Sequence, residues 1–239
     1  MQQPDVAVMF SGGRDSSLAV VRYCMTQTRV RLLRFSTGLG IPSELPAIRE
    51  AELRAAFPEM IHEQTPVLSA YGIVRRLALA DIEEDFRRFA GKNLVLLGEK
   101  LALHCAATVH CLRNSVTVLA DGTTGYQADL PEQRHVAIKF FHDLAQHFGI
   151  TYETPVLDCT SSQEVRFGLL EAGLSTKSLE GISMFADTFS YAADETVADY
   201  LAAKRQTAVE YIERHIPTSR TGRLPQQPHG SLEQDCERA

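Results

Sequence analysis

No C-x-x-C pair occurs in this chain of 239 residues, and its five cysteines, Cys24, Cys105, Cys111, Cys159 and Cys236, are odd in number. That spacing suggests neither a disulfide framework nor a zinc knuckle, and reduced thiols in cytoplasm fit it. Basic residues are not in surplus: 24 Lys and Arg stand against 30 Asp and Glu, a formal charge of -6. Phosphate backbones are held by clustered Lys and Arg, so this balance disfavours nucleic acid as a partner, tRNA included. The start, Met1-Gln2-Gln3-Pro4-Asp5, lacks the basic residues and apolar run of a signal peptide. No apolar stretch is read as reaching the ~20 residues of a membrane span. A cytoplasmic protein with no membrane partner is therefore expected. The sequence also has no internal repeat.

Against these absences, one stretch is dense in chemistry. Residues 6–10 (V-A-V-M-F) form an unbroken apolar run that reads as a buried strand, Ser11-Gly12-Gly13 interrupt it, and Asp15-Ser16-Ser17 open a helix. Glycines let backbone N–H groups approach an anion with no Cβ in the way, and the first turn of a helix presents N–H groups without intrahelical partners. The hydroxyls of Ser11, Ser16 and Ser17 add donors. The loop is not the one that ends in Gly-Lys-Ser/Thr, because no lysine follows, and it lacks the third glycine of the dinucleotide fingerprint.

Strands and helices then alternate. Helices are predicted at residues 16–26, 44–57, 69–89 (one or two), 101–112, 134–148, 161–173 and 193–215, and strands at 30–35, 61–67, 93–97, 115–120 and 151–156. This alternation predicts an α/β protein with a parallel sheet covered on both faces, three layers in all. In such sheets ligands sit beyond the carboxyl ends of the strands, so the stretch Phe35 to Gly38, with Ser36 and Thr37, is a candidate adenine shelf. The acidic run Asp81, Glu83, Glu84 and Asp85 reads as a solvated face. Residues 1–216 are expected to form one domain. From Pro217 the composition turns to Pro, Gln, Gly and Arg, which predicts a disordered tail over 217–239. The long helix at 193–215 leaves a homodimer open.

The dipeptides His104-Cys105 and His110-Cys111 tempt a metal assignment, but on a helix His104 and Cys111 lie about 10 Å apart along the axis, too far to share an ion. Single thiols remain. With its helix starting after a strand at 93–97, Cys105 is placed about one and a half turns in, where a helix N-terminus would favour a reactive thiolate. Cys159 also follows a strand end, and Cys111 reads as core.

The order S-G-G-x-D-S-S over residues 11–17 resembles the loop of the PP-loop ATP pyrophosphatases. Over most of residues 5–185 the segments G-E-K, V-L-A-D-G, G-Y-Q-A-D, T-P-V-L-D and E-V-x-x-G-L-L-E-A-G are similar to the 7-cyano-7-deazaguanine synthases. The resemblance implies a Rossmann-like fold of the adenine nucleotide alpha-hydrolase type with a C-terminal helix. It implies ATP and Mg²⁺ as cofactors, held by Ser11, Gly12, Gly13, Asp15, Ser16, Ser17, Phe35, Ser36 and Gly122. Lys100 and Asp15 join Cys105 as candidate catalytic groups, and Asp121, Tyr126 and Asp129 are assigned to a purine-like base. Two departures stand out. The family's zinc cysteines are missing from 178–184, and Thr160-Ser161-Ser162 stand where the family has a lysine. These departures shift the expected reaction from nitrile synthesis to adenylation of a carbonyl or amide oxygen followed by sulfur transfer, such as guanine to 6-thioguanine. The implied partners are a small purine-like substrate and a sulfur donor or sulfur-mobilising enzyme. A nitrogen-inserting amide or nitrile synthase and a non-catalytic nucleotide-binding subunit are the alternatives.

Overall fold

The computed structural model describes residues 5–41, 43–183, 185 and 190–216; the tail expected over 217–239 lies outside them. The strands are β1 (Asp5–Met9), β2 (Arg29–Ser36), β3 (Gly40–Ile41), β4 (Val67–Ser69), β5 (Val118–Ala120), β6 (Thr151–Glu153) and β7 (Ile182–Ser183). The helices are α1 (Arg14–Met25), α2 (Leu45–Ala56), α3 (Tyr71–Val74), α4 (Ile82–Arg88), α5 (Val95–Asn114), α6 (His135–His147), α7 (Ser162–Glu171) and α8 (Asp194–His215). A π-turn over Arg75–Leu79 prolongs α3.

Five strands make one parallel sheet in the order β4-β2-β1-β5-β6, while β3 and β7 form a small antiparallel pair. The central strand shows how sequence makes the layers. Its unbroken run Val6–Met9 alternates between faces, Ala7 and Met9 entering one core and Val6 and Val8 the other. Leu33 on β2 and Leu119 on β5 join Ala7 beneath α5, α6 and α8; Leu32 and Ala120 join Val8 beneath α1, α2 and α7. The fold is thus a three-layer, Rossmann-like α/β arrangement with a C-terminal helix. Since β1 leads to β2 on one side and lies beside β5 on the other, the strand order reverses between β1 and β5.

Three expectations need correction. Residues 93–97 do not form a strand: the Asn93 side chain accepts from Val95 N at 3.1 Å and opens α5. A short apolar run carries no periodicity that separates the two cases. Residues 61–67 do not form one continuous strand either. Ile61 makes a single bridge to Val30, and after Pro66, which has no N–H to donate, pairing resumes only at β4. Nor is the acidic run merely solvated, since Lys204 on α8 lies 2.8 Å from Asp85 and 3.4 Å from Asp81.

Helix α5, 20 residues long with an 18-residue window of mean hydropathy 1.3, does reach the length and composition of a membrane span. It is 67% buried within the fold, which accounts for its apolar character: it is the central helix of the larger core.

Candidate functional site

At the strand-order reversal the chain forms a cleft of about 630 Å³. Its floor is the C-terminal ends of β1, β2 and β5, and one wall is α5 at Glu99, Lys100 and Leu103.

The loop after β1 is built on its own hydrogen bonds. Gly12 has φ +82°, and a Cβ there would sit 2.4 Å from Leu179 O. Gly13 N donates to Ser11 Oγ at 3.1 Å, and the Ser11 and Ser16 hydroxyls are 3.1 Å apart. Ser11, Asp15 and Ser16 line the cleft. Ser17 does not: its hydroxyl donates to Gly13 O at 2.5 Å, so it braces the turn. Gly12 and Gly13 shape the backbone, and their side-chain positions are filled by neighbours. Gly122, after β5, packs against the first turn of α1; a Cβ there would lie 2.4 Å from Ser16 N and 2.6 Å from Asp15 C.

Asp15 is held by the Tyr126 hydroxyl, which donates to its two oxygens at 2.9 and 3.1 Å. Burial raises the Asp15 carboxyl above its usual range, Tyr126 and Arg14 oppose that, and the Glu180 carboxylate adds to it. Tyr126 is thereby a support for the loop and does not line the cleft. Asp129 is exposed and also outside the cleft lining. The expectation that these two hold a base is not met by their placement. The 3-10 turn over Gly125–Gln127 aims the Tyr126 side chain back at α1.

Lys100 and Asp121 form a close ion pair on the cleft wall. Lys100 Nζ also lies 3.3 Å from Thr123 Oγ1, and Thr123 N donates to Asp121 Oδ1 at 2.9 Å. Asp121 is 2% exposed. Burial alone would raise its carboxyl, but Lys100 and His104 outweigh this and hold it far below the ordinary range. His104 Nε2 is 3.7 Å from Asp121 Oδ2, and its ring stacks on Phe141 at 4.1 Å. Burial lowers the His104 pKa, so the imidazole is neutral near pH 7.

Phe35 and Ser36, together with Arg34 and Thr37, line the cleft at the end of β2. Thr37 and Gly38 of the expected shelf line it too; reading by sequence missed Arg34, Glu99, Gln133 and Glu180, which line it as well. Glu99 carried a signal, because it stands between Gly98 and Lys100 in the G-E-K segment.

Cys105 is a correction. It is 0% exposed, belongs to the larger core, and does not line the cleft. The reason is the face of α5 it occupies: Glu99, Lys100 and Leu103 look into the cleft, and at about 100° per residue Cys105 points nearly opposite Leu103, into the core. Burial raises its thiol pKa well above normal. Cys24 and Cys111 are core residues pushed up to about 12 by burial. Cys159 is also buried, with Arg22 Nη2 3.4 Å from its sulfur. Among the described residues no cysteine lines the cleft, and no group of three or more His, Cys, Asp or Glu is placed to hold a metal ion.

No protein-family model and no curated protein sequence matches the chain. Among solved structures, it is similar to a predicted subunit of tRNA methyltransferase from Methanocaldococcus jannaschii, at 21% identity and a TM-score of 0.44, over 76% of this chain and 96% of that one.

Proposed function

We propose that the chain is an ATP pyrophosphatase of the PP-loop type that adenylates a carbonyl or amide oxygen on a small purine-like substrate. The observation that carries this reading is the convergence, at the strand-order reversal, of a glycine-turned loop at the start of α1 with the Lys100–Asp121 pair across the same cleft. The loop offers backbone and hydroxyl donors to phosphate oxygens, and Lys100 offers positive charge where pyrophosphate departs.

In the first half-reaction the substrate oxygen bonds to the α-phosphorus and the bond to the β-phosphate breaks. Pyrophosphate leaves, and the neighbouring ring N–H loses its proton. In the second, hydrogen sulfide or ammonia adds to the activated carbon and AMP carries away the oxygen. Hydrogen sulfide restores the ring proton and yields a thioamide. Mg²⁺, when bound with the triphosphate, would neutralise phosphate charge. Asp15 and Glu180, two carboxylates on the cleft, fit the one or two that such an ion uses beside phosphates.

The incoming group is best read as delivered from outside. With Cys105 in the core, a persulfide carried on this chain loses its main support, and nitrogen transfer stands beside thiolation. To separate them, the protein is incubated with ATP, a guanine-type base and either sulfide or ammonia, and products are identified by mass. A thiolated base with sulfide supports thiolation, an added nitrogen with ammonia supports the synthase, and no modified base with either defeats both.

A further inference from the structure

We propose that Arg49, which lies outside the cleft, is the positioning residue for Glu180: it ties the segment 175–181 to α2 so that the Glu180 carboxylate stands over the phosphate loop. The inference rests on the reading above in which Asp15 and Glu180 meet magnesium beside the phosphates, and it names what puts the second of these carboxylates in place.

Arg49 stands in the middle of α2 and is 0% exposed. Its Nη1 donates to Glu52 Oε2 at 2.7 Å and to Ser175 O at 2.8 Å, and its Nη2 donates to Lys177 O. The Ser175 hydroxyl donates to the same Glu52 oxygen at 3.1 Å. One guanidinium thus fixes two carbonyls of the segment, two residues apart, against one helix. Taking a charge out of water is costly, and apolar side chains of similar volume serve stability as well or better. Stability alone therefore does not ask for arginine here. What an apolar side chain cannot do is hold two carbonyls in a set geometry, which the planar fork of five N–H donors does.

From Lys177 the segment runs directly onto the loop. Leu179 O lies 2.4 Å from where a Cβ on Gly12 would stand, and Pro46 Cα of α2 lies 2.7 Å from the same point, so Gly12 is clamped between the segment and the helix that carries Arg49. The Ser178 hydroxyl donates to Glu180 Oε1 at 2.9 Å. Glu180 Oε2 is 2.9 Å from where a Cβ on Gly13 would stand, and its charge reaches Asp15. Glu180 is itself exposed, so its place follows from the backbone that carries it more than from packing of its side chain. The path is continuous: Arg49 holds Ser175 and Lys177, and three residues on Glu180 faces the loop. Both Glu180 and Asp15 line the cleft, whereas Arg49 does not and acts only through the segment.

The test is isothermal titration of the full-length protein with an ATP analogue that carries a methylene between its α- and β-phosphates, in saturating magnesium and in EDTA. The gain, the ratio of the two dissociation constants, should be about tenfold or more in wild type and fall to within about threefold in both E180Q and R49M, while affinity in EDTA is not weakened. The double variant R49M/E180Q should lose no more of the gain than E180Q does, because both changes act through one carboxylate. A merely structural role gives another pattern. If R49M weakens binding equally with and without magnesium, or if the double variant loses more than E180Q, the inference is overturned. Should R49M fail to fold, R49K keeps the charge but not the fork, and its gain is expected at least about threefold below that of wild type; a full gain in R49K overturns the inference. Failure of wild type to bind the analogue in either condition defeats the nucleotide reading, and a gain that survives in E180Q defeats the magnesium role of Glu180 and this inference with it.

Discussion

Lys100 and Asp121 bring opposite charges to a place where Asp121 is 2% exposed, so each depends on the other. Replacing Lys100 by methionine leaves a buried carboxylate without its counter-charge, and we expect a loss of about 3 kcal/mol in urea unfolding. The double variant K100M/D121N should recover most of that stability while pyrophosphate release stays abolished, which separates folding from chemistry. The same pair sets an acid limit. The Asp121 carboxyl is depressed in the folded protein, so its contribution is complete above the unfolded value of ~3.9 and drains away as pH falls below it. Wild type should lose stability between about pH 4 and pH 2 more steeply than D121N does, and equal slopes would remove the pair from the account. At Cys105 the expectation is the reverse of a nucleophile's. Cys105→Ala should lower stability by about 1 kcal/mol and leave the rate of AMP formation within about twofold; a folded but inactive variant would return the thiol to the mechanism.

The loop between β1 and α1 works because a second element, the turn after β5, packs directly upon it at Gly122. Gly122→Ala places a carbon 2.4 Å from Ser16 N, well inside van der Waals contact, and must push the two elements apart. We expect nucleotide affinity, read by isothermal titration, to fall about tenfold or more, together with a lowered melting temperature, because the overlapping atoms are backbone. This element-scale view also shows what the sequence reveals and what it conceals. β1, the loop and α1 are legible because a glycine turn between an apolar run and a serine-rich helix start is a local signal. The start of α5 is not legible: Leu94–Leu97 is a short apolar run with no period to separate helix from strand, and only the fold shows Asn93 accepting from Val95 N at its first turn. Cys105 is a core residue for a separate reason, that it lies on the face of α5 nearly opposite cleft-lining Leu103. Arg34, Gln133 and Glu180 are illegible for another reason. They become neighbours only when three strand ends converge, and nothing in their local sequence marks the convergence.

At the scale of the molecule, two cores on opposite faces of one sheet hold the strand ends in register, and the cleft opens where the order of strands reverses. Buried Arg49 adds a tie on the α2 side, donating to Glu52 at 2.7 Å and to Ser175 O at 2.8 Å, next to the segment that carries Leu179 and Glu180 over the loop. The whole arrangement presents donors, a cation and carboxylates to one elongated ligand or to two that meet end to end. The central claim is that ATP is cleaved between its α- and β-phosphates. The direct measurement is to incubate the protein with Mg²⁺, a guanine-type base, sulfide or ammonia, and ATP labelled at the α-phosphate, and to separate the nucleotides. The account predicts labelled AMP and an equal amount of pyrophosphate, formed only when the base is present. Labelled ADP, or bound ATP that is never cleaved, would contradict it.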